Sequence, residues 1–210
     1  MTSYADIMFT PEVEAEQASI GSKGFYTSRY AAKQDEPLGP DEQRFLATRT
    51  TLYLASVNSQ GWPYLQHRGG PVGFVKMLDA FTIGFADYVG NKQLITKGNL
   101  QSDDRVSVFA MDYARKARLK LQGHAKLMAV AEAPESLAER LTTEGQGRVE
   151  RLMTIRVVAW DWNCPKYITS RFDPTEIAAR IGPEMERLEK RNAELEAELA
   201  QLREQLGKGQ

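Results

Sequence analysis

Residues 50–71 read TTLYLASVNSQGWPYLQHRGGP, and this stretch decides the fold class. Its first part, 50–57, is rich in β-branched, aliphatic and aromatic residues, which favour a strand. Residues 58–61 are typical of a turn, and 62–66 resume an extended pattern. The stretch therefore predicts a β-hairpin whose second strand ends in a basic, glycine-bearing segment.

Further strand patterns follow this hairpin. Several alternate apolar and polar residues with a period of two, as half-buried strands do. These segments are 74–78, 81–85, 105–111, 118–125 and 153–160. Short helices are predicted between them at 91–100 and 134–141. Six or more strands with few helices between them predict a mainly β fold, a β-barrel with peripheral helices, rather than a doubly wound sheet.

Composition divides the chain into an N-terminal helical segment (1–48), a barrel domain (49–173) and a C-terminal helix (174–210). In the first part, Thr10 and Pro11 supply a capping side chain and a pre-set first turn. A short helix over 11–20 is the prediction there, with Gly21 and Gly24 interrupting it.

Seven-residue spacing marks the C-terminal segment. The seam residues are Leu188, Leu195 and Leu202 in one heptad position and Met185, Asn192, Leu199 and Leu206 in the other. This pattern predicts a coiled coil, and Asn192 can pair with its own copy across a parallel two-stranded one. The alternative is one amphipathic helix packed on its own barrel. Self-association is favoured because the seam is narrow and the remaining surface is densely charged.

Charge and composition exclude several function classes. With 27 basic and 28 acidic residues the net charge is -1, which gives no overall attraction to nucleic acid or an anionic membrane. The single cysteine, Cys164, excludes an internal disulfide and a cysteine-built zinc site. No segment matches a spanning helix or a secretory signal. We therefore expect a soluble, cytoplasmic protein.

The first candidate for ligand binding is the segment 66–71, QHRGGP. Arg68 offers a planar fork of donors that suits a phosphate, and His67 adds another donor. Gly69 and Gly70 would let a ligand approach the backbone closely. Taken alone, the segment is equally consistent with a basic loop that contains a glycine turn.

The second candidate is the segment 87–92, DYVGNK, where a glycine separates a predicted strand end from a predicted helix start at Asn91. Backbone N–H groups at a helix start favour an anion, and Lys92 adds a full charge. An ordinary helix cap is the alternative. Together, two such segments on neighbouring strands predict one phosphorylated ligand at the barrel rim.

A third candidate, 160–165, reads WDWNCP and is followed by Arg171. Trp162 could border a flat aromatic ring and Arg171 could hold a second polar group; a core-edge tryptophan before a proline loop is the alternative. Cys164 has no base placed beside it, so a catalytic thiol is not expected. The sequence contains no P-loop, dinucleotide-binding, zinc-helix or nucleophile-elbow motif.

These segments together resemble the flavin-binding core of pyridoxamine 5′-phosphate oxidase-like proteins. The resemblance rests on 54–57, 61–71, 84–92, 104–109 and 118–123, and it extends over about residues 45–173. It implies a split β-barrel homodimer with two FMN sites at the dimer interface.

The resemblance also implies which residues contact the cofactor. They are Gln66, His67, Arg68, Gly69, Asn91 and Lys92 around the phosphate and ribityl chain, Phe85 and Ala86 beside the flavin, Arg118 as a polar flavin contact, and Trp162 and Arg171 against the ring from the second subunit.

One departure from the oxidase pattern limits the functional prediction. Residues 169–172, TSRF, stand where the oxidase has an arginine-leucine-histidine substrate signature, which argues against pyridoxamine phosphate oxidation. The resemblance therefore implies an FMN-dependent oxidoreductase with a small-molecule substrate or a nicotinamide donor of unknown identity. The alternatives are a non-catalytic flavin- or haem-binding sensor or scaffold, and a barrel that holds a deazaflavin. Neither nucleic acid nor a membrane is an expected partner.

Overall fold

The computed structural model describes residues 3–31, 36–143, 147–162 and 166–207. The chain divides into two units, Met1–Ile168 and Thr169–Gln210. The first contains a seven-stranded antiparallel sheet with short helices around it, and the second contains one long helix. The predicted fold class, an antiparallel β architecture with peripheral helices and a C-terminal helix, is confirmed.

Seven strands form one sheet in the order β2-β1-β5-β6-β7-β4-β3. Their bounds are β1 Thr51–Val57, β2 Pro63–Gly69, β3 Lys76–Asp79, β4 Thr82–Tyr88, β5 Arg105–Asp112, β6 Ala117–Ala129 and β7 Val149–Trp162. All paired neighbours run antiparallel. Both predicted hairpins, β1–β2 and β3–β4, are present in the predicted places.

A local hydrogen-bond network fixes the β1–β2 hairpin. The Asn58 side-chain oxygen accepts from the backbone N–H groups of Gln60 at 3.0 Å and Trp62 at 2.9 Å. Gly61 takes a positive φ of 85°, which a residue with a side chain rarely adopts. The resulting register pairs Thr51 with Gly69 at one end of the ladder and Val57 with Pro63 at the other.

The barrel interior is filled by the alternate residues of these strands. Leu52, Leu54, Val108, Leu119 and Leu121 are all at most 1% exposed. Because side chains alternate across a strand, the residues between them lie on the outer face of the sheet. The period of two read from the sequence therefore describes the true core face.

The sheet curls until strands far apart in its order meet. Four strands separate β2 from β4 in the ladder, yet Arg68 on β2 donates a hydrogen bond to Asp87 on β4. The prediction that the two anion-suited segments lie on neighbouring strands is therefore wrong in its detail. They lie on unpaired strands that closure of the sheet brings together.

Short helices surround the sheet. They are α1 Tyr4–Met8, α2 Pro11–Ser19, α3 Lys23–Tyr30, α4 Pro40–Ala47, α5 Ile95–Ser102 and α6 Glu135–Leu141. The expected helix after Thr10 is present as α2, whereas Gly24, expected to interrupt helical structure, lies inside α3. No helix in the described part of the chain is long and apolar enough to cross a membrane.

The predicted helix over 91–100 begins four residues late, at Ile95. Lys92 and Leu94 both have left-handed backbone angles, with φ of 62° and 56°. A right-handed helix cannot continue through such residues. Residues 89–94 therefore form an irregular loop, and the anion site predicted at a helix start beside Asn91 has no helix start there.

The N-terminal helices pack on the outer face of β7 through aromatic residues. Tyr4 and Tyr30 stack with ring centroids 6.2 Å apart and, with Ala159, form a small buried cluster. Buried Asp161 is paired with Arg29 at 3.3 Å and with Lys120 at 3.4 Å. Burial and the hydrogen bond to Asp161 raise the pKa of the Tyr30 hydroxyl.

The second unit contains helix α7, Pro174–Gly207. Asp173 caps its first turn: its carboxylate accepts from the Glu176 N–H at 2.8 Å, and the Glu176 carboxylate accepts from the Asp173 N–H at 3.0 Å. Pro183 lies inside the helix. This proline has no N–H to donate, so one backbone hydrogen bond of α7 is missing at that turn.

We predict opposite effects for two glycine-to-alanine changes. A Cβ at Gly123 would lie 2.5 Å from the Arg156 carbonyl oxygen, beside the irregularity in the β6–β7 register. Gly123→Ala should therefore lower the free energy of unfolding by about 1 to 3 kcal/mol. Gly98→Ala should raise it by about 0.5 to 1 kcal/mol, because Gly98 lies inside α5 and a Cβ there meets nothing within 4 Å. Urea unfolding of both variants checks this, and equal changes of one sign would contradict it.

Candidate functional site

A polar cleft of about 80 Å³ lies where the two ends of the curled sheet meet. Strands β2, β4 and β7, the loop 89–94 and the start of α5 form its walls. The lining residues are Tyr64, Gln66, Arg68, Asp87, Tyr88, Gly90, Asn91, Lys92, Gln93, Leu94, Ile95, Thr96, Lys97, Leu127 and Arg151. The structure therefore brings both predicted anion-suited segments to one place.

The pleat of β2 decides which of its residues reach the cleft. Tyr64, Gln66 and Arg68 line it, because alternate residues of a strand share one face. His67 is on the opposite, exposed face, where its ring meets the edge of Tyr53 at 5.9 Å. His67 therefore does not line the cleft with Gln66 and Arg68.

Gly69 and Gly70 make room for the protein rather than for the cleft. A Cβ on Gly69 would meet the His67 ring at 2.9 Å, and one on Gly70 would meet the Phe74 side chain at 2.6 Å. Neither glycine lines the cleft. The space beside these glycines, which was expected to let a ligand approach the backbone, is filled by the side chains of His67 and Phe74.

Three charged side chains form the floor of the cleft. Arg68 donates to one oxygen of Asp87, and Arg151 Nε donates to the other at 2.8 Å. Their side chains are 14%, 8% and 16% exposed for Arg68, Asp87 and Arg151. One carboxylate thus faces two guanidinium groups, and Arg151 has a second carboxylate partner in Glu150 at 3.0 Å.

One hydrogen-bond donor of this cluster, the Nε atom of Arg68, is buried and has no acceptor among the described residues. A buried guanidinium N–H without an acceptor is costly, so its position favours an acceptor supplied by a ligand. Lys92 and Lys97 add two more cations to the lining, against the single carboxylate of Asp87.

Two side-chain hydrogen bonds fix α5 against the sheet. Thr96 donates to Gln66 at 2.7 Å, and buried Asn99 donates to the hydroxyl of buried Ser56 at 2.9 Å. In the preceding loop, the Asn91 side chain accepts from the Gln93 N–H at 3.2 Å. These bonds hold the loop and the first turn of α5 beside β2, which places Lys97 on the cleft.

The predicted residues Phe85 and Ala86 lie in hydrophobic clusters instead of the cleft. Phe85 is 1% exposed and meets Phe74 at 6.0 Å in the barrel core. Ala86 packs with Leu141 and Leu152 on the other face of β4. Both faces of β4 are covered, by the core on one side and by the cluster around α6 on the other, so neither side chain borders open space.

Arg118 and Trp162 are also occupied away from the cleft. The Arg118 guanidinium lies 5.7 Å from the Phe109 ring centre. Trp162 donates to the buried Glu42 carboxylate at 2.6 Å, and its ring meets the edge of Phe45 at 4.8 Å. Arg171 belongs to the second unit, and Cys164 lies outside the described residues.

A second, larger cavity of about 590 Å³ lies on the outer face of the sheet. Ala55, Val57 and Val158 give it apolar walls, and His124 at its edge pairs with Asp104 at 2.8 Å. None of the predicted site residues lines it. Among the described residues, no group of histidine, cysteine, aspartate and glutamate could hold a metal ion.

The model of one protein family, pyridoxamine 5′-phosphate oxidase, matches residues 38–160. The chain belongs to this family. The resemblance seen in the sequence is thereby confirmed, and the matched region contains the whole cleft.

Solved structures with a similar fold include HupZ of Group A Streptococcus (13% identity, 64% of this chain and 99% of that chain, TM-score 0.48). Another is a putative pyridoxamine 5′-phosphate oxidase from Lactobacillus delbrueckii (15%, 60% and 94%, 0.46). An FMN-binding protein from Syntrophomonas wolfei is similar as well (13%, 71% and 97%, 0.45). No curated protein matches the sequence.

Residues 38–160, which match the family model, are called the family domain below. Several cleft residues within it were not predicted from the sequence. Tyr64 was recoverable from the alternation of β2, two residues before Gln66. Arg151 had no local signal, because only the β4–β7 register sets it opposite Asp87. Thr96 and Lys97 were not predicted, because the helix was expected to begin at Asn91 and instead begins at Ile95.

We predict that Asp87 is essential for the stability of the family domain. Asp87→Ala leaves Arg68 and Arg151 without their shared counter-charge and should lower the free energy of unfolding by about 3 to 5 kcal/mol. Asp104→Ala is the matched control, since it removes a carboxylate from an exposed pair and should cost less than about 1 kcal/mol. Thermal or urea unfolding measures both, and similar losses in the two variants would refute a special role for Asp87.

Proposed function

We propose that the cleft binds the phosphate group of FMN and that the protein is an FMN-dependent oxidoreductase. The observation that carries the proposal is the convergence of four cationic side chains on one small cleft. Arg68 in addition presents a buried N–H without an acceptor among the described residues. A phosphate dianion matches both features, because it brings negative charge and several acceptor oxygens.

The cleft fits a phosphate group but not a whole cofactor. Its volume of about 80 Å³ is well below the roughly 300 to 1,000 Å³ of sites that enclose a small ligand. With the phosphate held here, the flavin ring would lie outside the cleft, on the surface of the chain. A second copy of the chain covering the ring would complete the site, which supports a homodimer.

The proposed dimer would use the exposed outer face of the β1–β2 hairpin. Leu65 is 63% exposed there and shares its face of β2 with His67, while Trp62, in the adjoining turn, is 70% exposed. Exposed apolar side chains of this size are typical of an interface. The contacts of His67, Phe85, Ala86, Arg118, Trp162 and Arg171 with FMN stay predictions that only a cofactor-bound dimer can test.

The polar residues of the cleft would then have separate roles in binding. Arg68 and Lys92 hold the phosphate, while Asp87 orients the Arg68 guanidinium and prevents the site from carrying its full positive charge. Thr96 holds the Gln66 amide at the mouth. Bound FMN would supply hydride transfer between a nicotinamide donor and a small-molecule substrate, and the protein would supply binding and orientation.

The phosphate contact is tested by comparing FMN with riboflavin, which lacks the phosphate. Arg68→Ala and Lys92→Ala should each weaken FMN binding about 10- to 100-fold, as expected for loss of a charged hydrogen bond, and leave riboflavin binding unchanged. Lys126→Ala, an exposed lysine outside the cleft lining, should leave both affinities unchanged. Isothermal titration calorimetry gives these numbers. Unchanged FMN affinity in both cleft variants would overturn the proposal.

The redox function needs a separate measurement. The purified protein with bound FMN should lose its flavin absorbance when NADH or NADPH is added anaerobically, and regain it with an electron acceptor. Flavin that stays oxidised with both donors would favour a non-catalytic flavin carrier, and the cofactor site would stand without the oxidoreductase. A bound deazaflavin or haem would show itself in the spectrum of the extracted cofactor.

A further inference from the structure

We propose that α7 pairs with α7 of a second copy as a parallel, in-register, two-stranded coiled coil. The stripe that would form the seam consists of Met185, Leu188, Leu195, Leu199, Leu202 and Leu206, with Asn192 among them. The apolar members are between 44% and 76% exposed, and Asn192 is exposed too. Such a continuous apolar stripe on an otherwise polar helix needs a partner.

The width of the stripe selects a single helix as the partner. Large apolar side chains occupy only two positions of each heptad, which gives a seam with a period of 3.5 residues. A helix that packs on a sheet or in a globular core has a broader apolar face, of three or four positions every two turns. The other faces of α7 carry ion pairs within the helix, such as Arg187 with Glu184 and Arg191 with Glu194.

Asn192 selects the direction and register of the pair. In a parallel in-register dimer, this residue faces its own copy, and the two side-chain amides can hydrogen-bond to each other. In an antiparallel dimer, each Asn192 would face a leucine of the other seam position. An amide buried without a partner is unfavourable, so the parallel arrangement is preferred.

Charges beside the seam agree with the same arrangement. In a parallel coil, Arg191 of one copy faces Glu196 of the other, and Glu198 faces Arg203, so both pairs attract. Glu184 would face Glu189 and repel it. Arg187 donates to the Glu184 carboxylate at 2.8 Å within the same helix, which offsets part of this repulsion.

Pro183 does not interrupt the heptads that surround Asn192. It lies before Met185, and the hydrogen bond that it cannot donate belongs to the preceding turn of α7. Ile181, seven residues before Leu188 and 51% exposed, continues the pattern upstream of the proline. No other proline follows in α7, so the helix along the seam from Met185 to Leu206 is uninterrupted.

Cysteine cross-linking tests the direction of the pair in the full-length chain. The variants Leu188→Cys and Leu202→Cys are made separately in a Cys164→Ser background. A parallel coil brings each new cysteine next to its own copy, so each variant alone should form a disulfide-linked dimer under mild oxidation. Cross-links that form only when the two variants are mixed would show an antiparallel coil, and no cross-link in any sample would show no coil.

Sedimentation equilibrium tests the contribution of the seam to assembly. Leu195→Asp with Leu199→Asp should raise the dissociation constant of the full-length dimer roughly tenfold or more, because charges replace buried leucines. Ala193→Asp with Ala200→Asp adds the same charges outside the seam and is the matched control. Equal effects of the two pairs would overturn the proposal. FMN binding, measured on the same samples, tests the cleft independently.

Discussion

One carboxylate shared by two guanidinium groups joins strands from the two ends of the closed sheet. Arg68 is near the end of β2 and Asp87 near the end of β4, so no ladder hydrogen bond connects them. Arg151 reaches Asp87 from β7, its direct neighbour in the sheet. The cluster therefore ties a strand from one end of the sheet to a pair near the other end. The contact lies where the two segments that line the cleft meet.

The same cluster gives the cleft its chemical character. A buried arginine needs a counter-charge; Asp87 supplies one to Arg68 and Arg151, and Arg151 also pairs with Glu150 at 3.0 Å. The other cations of the lining, Lys92 and Lys97, are exposed and can reach water. On the proposed function, a phosphate would accept from the Arg68 Nε atom, which has no partner among the described residues. Stability and the proposed phosphate binding thus draw on the same charges.

Local patterns in the sequence predicted most of the strands, but not which strands meet when the sheet closes. The β1–β2 hairpin was predictable because Asn58 and Gly61 fix its turn within a few residues. His67 does not line the cleft beside Arg68, because adjacent side chains of a strand lie on opposite faces. The late start of α5 follows from the left-handed backbone angles at Lys92 and Leu94. Lysine and leucine rarely adopt such angles, so this conformation could not be predicted from the residue types.

Family membership does not specify the reaction. On the proposed function, the residues that line the cleft would hold a phosphate, a group that many cofactors share, so they do not specify a substrate. Specificity would have to come from groups beside the flavin ring. In the chain itself, Trp162 is already engaged by Glu42 and Phe45, and Phe85 is buried. On the proposed function, the substrate side of the site would therefore depend on what a second copy contributes.

Symmetry links the two proposals for assembly. Two copies that cover each other's flavin rings must have their family domains side by side. Helix α7 has 34 residues, or about 50 Å of length, and it follows the family domain along the chain. An antiparallel coil would hold the two Pro174 residues roughly that far apart, whereas a parallel coil starts both helices at the same end. The direction that Asn192 prefers is therefore compatible with family domains that lie side by side in the same dimer.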